Sequence, residues 1–365
     1  MAMVQHECAP PLRRMRPAHR VVAAWAVSRI VVAAGLLLGG SGADRRFSWS
    51  GFVAWDGQWY LRAARLGYGP APAPGVESPW PFFPALPVAL RVLEALHLPA
   101  AAVVVASNHL LLLVAMVGVW RLADRRLGRS VATWSVWALA VFPMAAVFSM
   151  LYPSSIFLAS SVWTFELAER RRWAWCGAVA ALATMARPNG AVPVLVLTIA
   201  VFVTAASDRR WRRAAVVVGP SAVLVTVWLA VCAVRTGNPF VFVTAKAAWR
   251  EHTVVATVRE LVAHPELGPL AVHVSLGLVA VVVLRLAWSR LPSSWRVFAV
   301  IAIGLPVVTG VVGLGRYANE CFPVVIAGGV VLAGLPRWAR RGVLAGSSVA
   351  ALVGAASMGG YHLLP

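Results

Sequence analysis

Long apolar runs separated by short polar segments recur along the whole chain. Several runs reach the roughly 17–25 residues that an α-helix needs to cross a bilayer. They are continuous stretches of Val, Ala and Leu, whereas the strands of an outer-membrane barrel alternate apolar and polar residues. The pattern therefore predicts an all-α polytopic membrane protein, a single integral membrane domain over residues 1–365. We expect about nine to eleven transmembrane helices, drawn from the runs 21–40, 99–120, 131–150, 154–168, 173–186, 190–206, 214–234, 269–288, 297–314, 318–335 and 342–361.

The basic residues predict how these helices are oriented. Loops on the cytoplasmic side of a membrane carry an excess of Lys and Arg. With residues 1–20 as a cytoplasmic basic tail, 21 of the 33 Lys and Arg residues fall on that side and 11 on the other. The longest connections, 41–98 and 235–268, are then outer loops of a multi-pass protein of the cell membrane. A cleaved signal peptide also fits the basic start, but the first apolar run is long and Arg29 interrupts it, so we expect it to be retained.

Composition narrows the class of protein. Hydrophobic residues make up 60% of the chain and charged residues 13%, whereas soluble domains have about 45–50% and about 25%. A net charge of +20 is compatible with a nucleic-acid partner, but the arginines lie between apolar runs, so membrane lipids are the predicted partner and nucleic acid is not. The four cysteines form no CxxC motif, and we predict no metal and no cofactor. No matching repeat halves are visible, which argues against a transporter.

The first outer loop contains an acidic residue in an aromatic setting. The stretch "AWDGQWY" places Asp56 beside Trp55, Trp59 and Tyr60, in a chain with only 13 Asp and Glu residues. Aromatic residues alone at this level are typical of the belt at a membrane–water interface. A carboxylate among them is partly desolvated, which makes it a stronger base. Asp56 is therefore a candidate proton acceptor.

A proline-rich stretch, "SPWPFFPALP", follows in the same loop. Four prolines in ten residues cannot lie in the interior of a regular helix, because proline lacks the N–H and its ring collides with the preceding turn. The stretch therefore predicts a rigid entry into the next helix, lined by Trp80, Phe82 and Phe83. These side chains either form a wall for a lipid tail or belong to an ordinary loop at the membrane surface.

Several cations on the outer side oppose the usual preference for basic residues inside. Lys246 and Arg250 flank Trp249 in "TGNPFVFVTAKAAWREHT", Arg187 lies in "MARPNG", and Arg316 lies in "GLGRYANECFP". Charges that follow an apolar run directly are costly and are usually paired or functional. Binding of a phosphate group would account for all four cations. Contact with anionic headgroups or snorkelling to the interface is the alternative.

These stretches, in this order, resemble signatures of the PIG-V-like mannosyltransferases, which belong to the GT-C class of membrane glycosyltransferases. The matching segments are "AWDGQWYLRAARLGY" with "PFFPALP", then "ATMARPNG", "GNPFVFVTAKAAW" and "GRYANECFP". The resemblance implies a GT-C-type helical bundle whose extracytoplasmic loops carry the site. It also implies that a polyprenyl- or dolichyl-phosphate mannose delivers its sugar on that face, and that Asp56 activates the acceptor hydroxyl as general base.

The sequence departs from the family at one informative place. The family usually has an acid just after the tyrosine that opens the fourth span, whereas "MLYPSSIF" has Tyr152 followed by proline and two serines. This departure puts the choice of acceptor in question. The complete set of predicted site residues is Asp56 as the base, Arg187, Lys246, Arg250 and Arg316 around the donor phosphate, and Trp55, Trp59, Tyr60, Trp80, Phe82, Phe83, Tyr152, Trp249 and Tyr317 as the substrate lining.

The predicted function is that of an inverting glycosyltransferase. It would move a sugar, mannose by the resemblance, from a polyprenyl-phosphate donor to a lipid or protein acceptor on the extracytoplasmic face. The alternative is a non-catalytic protein that keeps the GT-C fold and binds or translocates lipid. The missing acid after Tyr152 favours this alternative.

Overall fold

The protein is helical throughout the part that the structure describes. The computed structural model describes residues 17–39, 50–204, 207–249, 268–309, 311 and 313–359. These ranges contain no strand, and the predicted all-α polytopic class is confirmed. The α-helices in chain order are α1 (Pro17–Gly39), α2 (Ser50–Val53), α3 (Asp56–Leu66), α4 (Ala85–Ala95), α5 (Ala100–Leu127), α6 (Arg129–Ala140), α7 (Ser154–Glu169), α8 (Trp173–Ala186), α9 (Ala191–Thr204), α10 (Ser207–Thr236), α11 (Val241–Ala245), α12 (Pro269–Ala287), α13 (Ser293–Thr309), α14 (Leu314–Glu320), α15 (Phe322–Gly334) and α16 (Arg337–Gly359).

Several of these helices have the length and composition of membrane spans. Within the described ranges, 4 helices are long and apolar enough to cross a membrane, or 5 if the bent pair α14 and α15 forms one span. Three further apolar helices are shorter, at 10–17 residues. Because a full crossing needs about 20 residues, the predicted total of nine to eleven spans includes helices that do not have this length. The four long helices are Ala18–Gly39, Ala100–Leu127, Arg209–Thr236 and Leu270–Arg290.

The predicted span 131–150 is not one helix. Helix α6 ends at Ala140, and beyond Pro143 the chain forms a 3-10 turn over Ala145–Ser149. Proline cannot continue the helical hydrogen bonding, which explains the interruption. The buried Arg29 of α1 stabilises the turn by donating to its serine hydroxyl at 2.6 Å and to its first carbonyl at 3.0 Å.

The predicted span 318–335 is also interrupted. Helices α14 and α15 meet at an angle of 77°, with the extended residue Cys321 between them. Pro323 lies in the first turn of α15, a position where its missing N–H costs no helical hydrogen bond. The break gives Arg316 and Glu320 a short helix of their own, separate from the apolar α15.

The outer loop predicted over 41–98 is folded wherever the structure describes it. It forms α2, α3 and α4, with α3 packed against α4. The Arg65 guanidinium lies 2.8 Å from the Glu94 carboxylate, and Arg91 donates to the carbonyl of Ala64 at 2.9 Å. These contacts join α3 to α4.

Some basic residues of the predicted cytoplasmic side do more than direct topology. The carboxylate of Glu166 is fully buried in α7. It is contacted by Arg125 at 2.8 Å, by Arg170 at 2.7 Å and by Arg121 at 3.3 Å. Three guanidiniums around one carboxylate offset the desolvation of that charge, so this cluster fastens α5 to α7.

The predicted topology can be tested by cysteine labelling. Val76, in the predicted outer loop 41–98, is 53% exposed, whereas Ser78 is buried, so Val76→Cys is the better probe. In a Cys8→Ser background, we expect Val76→Cys to react with a membrane-impermeant maleimide in intact cells. Ala174→Cys, on the predicted cytoplasmic side, should react only after permeabilisation. The three other cysteines are buried and should stay unlabelled; the reverse labelling pattern would contradict the topology.

Candidate active site

Asp56 is the first residue of helix α3. Its backbone N–H donates to the Tyr152 hydroxyl at 3.1 Å. A carboxylate in the first turn of a helix interacts favourably with the helix dipole. Trp55, just before it, has φ 52° and ψ −120°, a combination that favours glycine and costs a larger residue about 1–3 kcal/mol. The packing of the loop therefore holds Asp56 in place against local backbone preference.

Residues 150–152, which we call the 150–152 strap, lie next to Asp56. The buried side-chain amide of Asn108 donates to the Met150 carbonyl at 2.6 Å and to the Tyr152 carbonyl at 3.1 Å. The N–H of Leu151 donates to the Phe52 carbonyl at 2.7 Å. Helices α5 and α2 thus hold the strap from two sides, and the strap places the Tyr152 hydroxyl within hydrogen-bond distance of the Asp56 backbone nitrogen.

Arg316 reaches Asp56 from a distant part of the chain. Its Nη1 lies 2.7 Å from Asp56 Oδ2, and the side chains are 10% and 30% exposed, respectively. The guanidinium carbon lies 5.2 Å from the ring centre of Tyr152 and 5.3 Å from that of Tyr317. Asp56 Oδ1 has no hydrogen-bond partner in the described ranges. One carboxylate oxygen is therefore held by a cation, and the other is left to meet a ligand.

A second ion pair lies near the first, because the arginines of both pairs contact the ring of Tyr317. Arg187 and Glu320 form a salt bridge in which both side chains are buried. Arg187 also donates to the Ser154 hydroxyl at 3.0 Å, so both of its terminal nitrogens are occupied. Ser154 belongs to the stretch "MLYPSSIF", where the resembling family has an acid. The carboxylate that pairs with Arg187 belongs to Glu320, which the sequence analysis did not include in the site.

The ring of Tyr317 lies near both guanidiniums. The Arg187 guanidinium carbon is 5.7 Å from the ring centre, and that of Arg316 is 5.3 Å away. The half-buried phenol also interacts electrostatically with Lys246 and Asp56. No hydrogen bond involves the Tyr317 hydroxyl in the part of the chain that the structure describes. The Tyr317 hydroxyl is therefore available to donate a hydrogen bond to a ligand, beside two guanidinium groups.

Two of the aromatic residues predicted beside Asp56, Trp59 and Tyr60, lie in α3 and pack against Phe82. Tyr60 is buried against Phe82, with ring centres 5.1 Å apart in an edge-to-face arrangement. Trp59 stacks on Phe82 at 6.1 Å. Burial raises the pKa of the Tyr60 hydroxyl above its usual value, so this phenol stays neutral. These residues form a neutral, apolar support for Asp56, and Trp55 lies immediately before it.

Two predicted lining residues belong to a different cluster. Trp80 is fully buried, and Phe83 is buried with it against Trp228 of α10. The Trp80 indole donates to the Pro70 carbonyl at 3.1 Å, and its ring centre lies 5.1 Å from that of Tyr68. These contacts indicate that Trp80 and Phe83 anchor the stretch 68–83 to α10.

The predicted second outer loop is described only in its first part. Lys246 is half-buried at the start of a 3-10 turn, Lys246–Trp249, and makes no ion pair with any described residue. Arg250 and the side chain of Trp249 lie outside the described residues. Of the predicted phosphate ligands, the structure brings Arg187 and Arg316 together around Tyr317, and Lys246 interacts electrostatically with the same tyrosine. Arg250 stays a prediction.

Several buried polar atoms around this site have no hydrogen-bond partner within the described ranges. They are Arg316 Nε, Glu320 Oε1 and both side-chain polar atoms of Asn319. Buried polar atoms are nearly always paired in folded proteins, so a local concentration of unpaired ones calls for an explanation. A polar ligand or water beside α14 would supply the missing partners. The described residues include no group of three or more His, Cys, Asp or Glu side chains that could hold a metal ion.

The fold is similar to that of a known membrane enzyme. The crystal structure of the Archaeoglobus fulgidus oligosaccharyltransferase in the apo form matches 94% of this chain, with a TM-score of 0.57 and 12% sequence identity. The structure of that protein tethered to an acceptor peptide containing the NVT sequon matches with a TM-score of 0.52 and 12% identity, and its complex with Zn and sulfate with 0.52 and 13%. The predicted GT-C-type membrane fold is therefore confirmed.

This likeness concerns the fold alone, because the sequence identity is low. The chain corresponds to 56% of the length of the apo oligosaccharyltransferase, or about half of that protein. Neither a protein-family model nor a curated protein sequence matches the chain. The more specific resemblance to PIG-V-like mannosyltransferases remains a prediction from the sequence motifs.

Proposed function

We propose that this protein is an inverting glycosyltransferase that uses a polyprenyl-phosphate sugar, mannose in the PIG-V-like reading, on the extracytoplasmic face. The observation that carries the proposal is the arrangement of Asp56. Its carboxylate is partly exposed, one oxygen is held by Arg316, and the other is uncommitted within the described ranges. The GT-C-type fold supports the same class of reaction.

In the proposed reaction, Asp56 Oδ1 accepts the proton of an acceptor hydroxyl. The acceptor oxygen attacks the anomeric carbon of the donor sugar from the face opposite the phosphate. The bond between that carbon and the phosphate oxygen breaks, and the electron pair leaves on the lipid phosphate, which inverts the configuration. A correctly placed base supplies about 10²–10⁴ of rate, and the positive charge of Arg187, Lys246 and Arg316 stabilises the departing phosphate.

The acceptor is the less determined partner. The resemblance to PIG-V-like enzymes does not specify the acceptor, and the similar oligosaccharyltransferase has been tethered to an acceptor peptide. The proposal therefore covers a lipid or protein acceptor. Incubation of the purified protein with a radiolabelled polyprenyl-phosphate mannose and native membrane extract would identify the acceptor, because the label would move into the lipid or the protein fraction.

A non-catalytic lipid-binding or lipid-translocating protein is the competing proposal. It is favoured by the ion pair that occupies Asp56 Oδ2 and by the absence of an acid after Tyr152, where the resembling family usually has one. A purified protein that binds polyprenyl-phosphate mannose and transfers no label to any membrane fraction would favour this alternative over the enzyme.

Arg316 offers a test within the proposed function. We expect Arg316→Ala to lower transfer by about 10- to 100-fold, because a hydrogen bond to a charged group is lost. Arg316→Lys should recover only part of the activity, because an ammonium lacks the planar fork and its stacking on Tyr152 and Tyr317. Kinetics at varied donor concentration provide the measurement.

The matched control for this prediction is Arg65→Lys. Arg65 also pairs with a carboxylate at 2.8 Å, but its side chain is 59% exposed. Surface pairs of this kind contribute about 0–1 kcal/mol, so transfer should be unchanged. Equal effects of the Lys substitution at both positions would contradict a special role for Arg316.

A further inference from the structure

The arginines of the site differ in how many of their terminal nitrogens already have a hydrogen-bond partner. Both terminal nitrogens of Arg187 are occupied, by Glu320 and Ser154, and one terminal nitrogen of Arg316 is occupied by Asp56. A guanidinium that already holds a carboxylate has fewer N–H groups for a phosphate oxygen. Part of the donor capacity that the sequence assigned to a phosphate is therefore already used by two carboxylates and a serine hydroxyl.

Tyr317 is well placed to supply a further hydrogen-bond donor to a phosphate. It lies in α14 between the two guanidiniums, which face its ring at 5.7 Å and 5.3 Å. A cation near an aromatic ring is attracted to its π-system, so these contacts hold the ring without using its hydroxyl. The hydroxyl itself has no hydrogen-bond partner in the part of the chain that the structure describes.

The charges around Tyr317 favour an anion at its hydroxyl. Arg187, Arg316 and Lys246 act on it electrostatically, and Asp56 opposes them. Asp56 and Glu320 each pair with one of the two arginines, so three positive groups face two negative ones, and the Lys246 ammonium is the cation without a described carboxylate partner. Hydrogen bonds from neutral donors to an ionised phosphate are stronger than those between neutral groups.

We propose that the Tyr317 hydroxyl donates a hydrogen bond directly to the phosphate of a lipid-linked phosphate ester, beside the Lys246 ammonium. Arg187 then acts on this phosphate through its charge and not by contact. The inference rests on the proposed function, because it identifies the bound phosphate with that of the sugar donor. The chemistry recognised is a phosphate ester anion, which a bilayer phospholipid headgroup also carries, so the experiment must separate these two sources.

The test is equilibrium binding of a radiolabelled polyprenyl phosphate that carries no sugar to the detergent-purified full-length protein. Tyr317→Phe removes only the hydroxyl and keeps the ring between the guanidiniums. We expect it to weaken binding by about 10- to 100-fold, the range for a hydrogen bond to a charged group. Unchanged affinity of Tyr317→Phe would overturn the proposal.

Tyr68→Phe is the matched control. Its hydroxyl donates to the Phe82 carbonyl at 2.7 Å, and its ring packs on Trp80 and Trp228 away from the charged residues of the site. The same chemical change should there leave polyprenyl-phosphate affinity unaltered. An equal loss of affinity in Tyr68→Phe would show a general effect of removing a hydroxyl and would overturn the assignment to Tyr317.

Lys246→Gln provides a second variant, since a half-buried lysine tolerates substitution more readily than a residue of α14. Its affinity should fall, and its salt dependence should become shallower because one cation is lost. Wild-type affinity in Lys246→Gln would overturn the part of the proposal that places the ammonium beside the phosphate.

Competition distinguishes the two sources of phosphate. Vesicles of phosphatidylglycerol should displace the labelled polyprenyl phosphate poorly, whereas unlabelled polyprenyl phosphate should displace it fully. Equal displacement by phosphatidylglycerol would overturn the assignment to a donor lipid. Because binding is measured without a sugar, a wild-type protein that binds and never transfers would remove the proposed enzymatic function while Tyr317 retained its phosphate contact.

Discussion

Asp56→Asn is expected to abolish most sugar transfer while leaving the fold and donor binding intact. Asparagine has nearly the same size and still offers an oxygen to Arg316, but it cannot accept the proton of the acceptor hydroxyl. Loss of a general base lowers the reaction rate by a factor of about 10²–10⁴. Donor binding should persist, because in the proposed mechanism the base contacts the acceptor, whereas other side chains bind the phosphate of the donor. Transfer and donor binding should be measured on the same purified sample.

Glu94→Gln is the matched control for this variant. Glu94 lies in α4, which packs against α3, and is also paired with an arginine at 2.8 Å. This pair is more exposed than that of Asp56, because the Arg65 side chain is 59% exposed. We expect near-normal transfer. Near-normal transfer by Asp56→Asn as well would end the assignment of Asp56 as the base. A thermal unfolding curve for each variant separates lost chemistry from lost folding.

Glu320→Gln is expected to cause the largest loss of stability. The Arg187 guanidinium would then be left buried without a carboxylate. Breaking a buried ion pair by removing one partner costs about 3–5 kcal/mol, a large part of the roughly 5–15 kcal/mol that stabilises a typical protein. Denaturation in detergent gives the free energy of unfolding of the variant and of the wild type.

A double variant and a surface pair make this prediction specific. Arg187→Met combined with Glu320→Leu removes both charges, and it should recover much of the lost stability because no buried charge remains unpaired. Glu169→Gln breaks the exposed pair with Arg126, which spans 2.7 Å, and should cost about 1 kcal/mol or less. If Glu320→Gln cost no more than Glu169→Gln, the buried pair would not stabilise the fold.

Some properties of this protein follow from local sequence because their causes are local. Unbroken apolar runs predict helices in a bilayer, and the described parts of these runs are helical apart from short breaks, of which those in 131–150 and 318–335 interrupt predicted spans. Each of the two interrupted spans contains a proline near its break, Pro143 or Pro323. Hydropathy alone does not reveal these breaks, because the residues around both prolines are apolar. The unusual setting of Asp56 was also evident, because an acid between aromatic residues is rare in so apolar a chain.

The partners of the charged residues could not be obtained in this way. Asp56 and Arg316 are 260 positions apart, and Arg187 and Glu320 are 133 positions apart. An ion pair depends on distances of a few ångströms, and no short stretch of sequence specifies which two distant helices meet. Sequence reasoning therefore found three of these four residues as isolated charges and treated both arginines as free to bind phosphate.

The sequence by itself thus determined the class of fold, the candidate base and the abundance of cations, since each depends on residue type and near neighbours. The tertiary structure alone decided which cations are already neutralised. The breaks after α6 and before α15 bring residues 150–154 and 316–320 together beside α3. That juxtaposition pairs Arg316 with Asp56 and Arg187 with Glu320, and it leaves the hydroxyl of Tyr317 uncommitted between them, because a charge buried in a membrane protein is stable only where the fold brings it a partner.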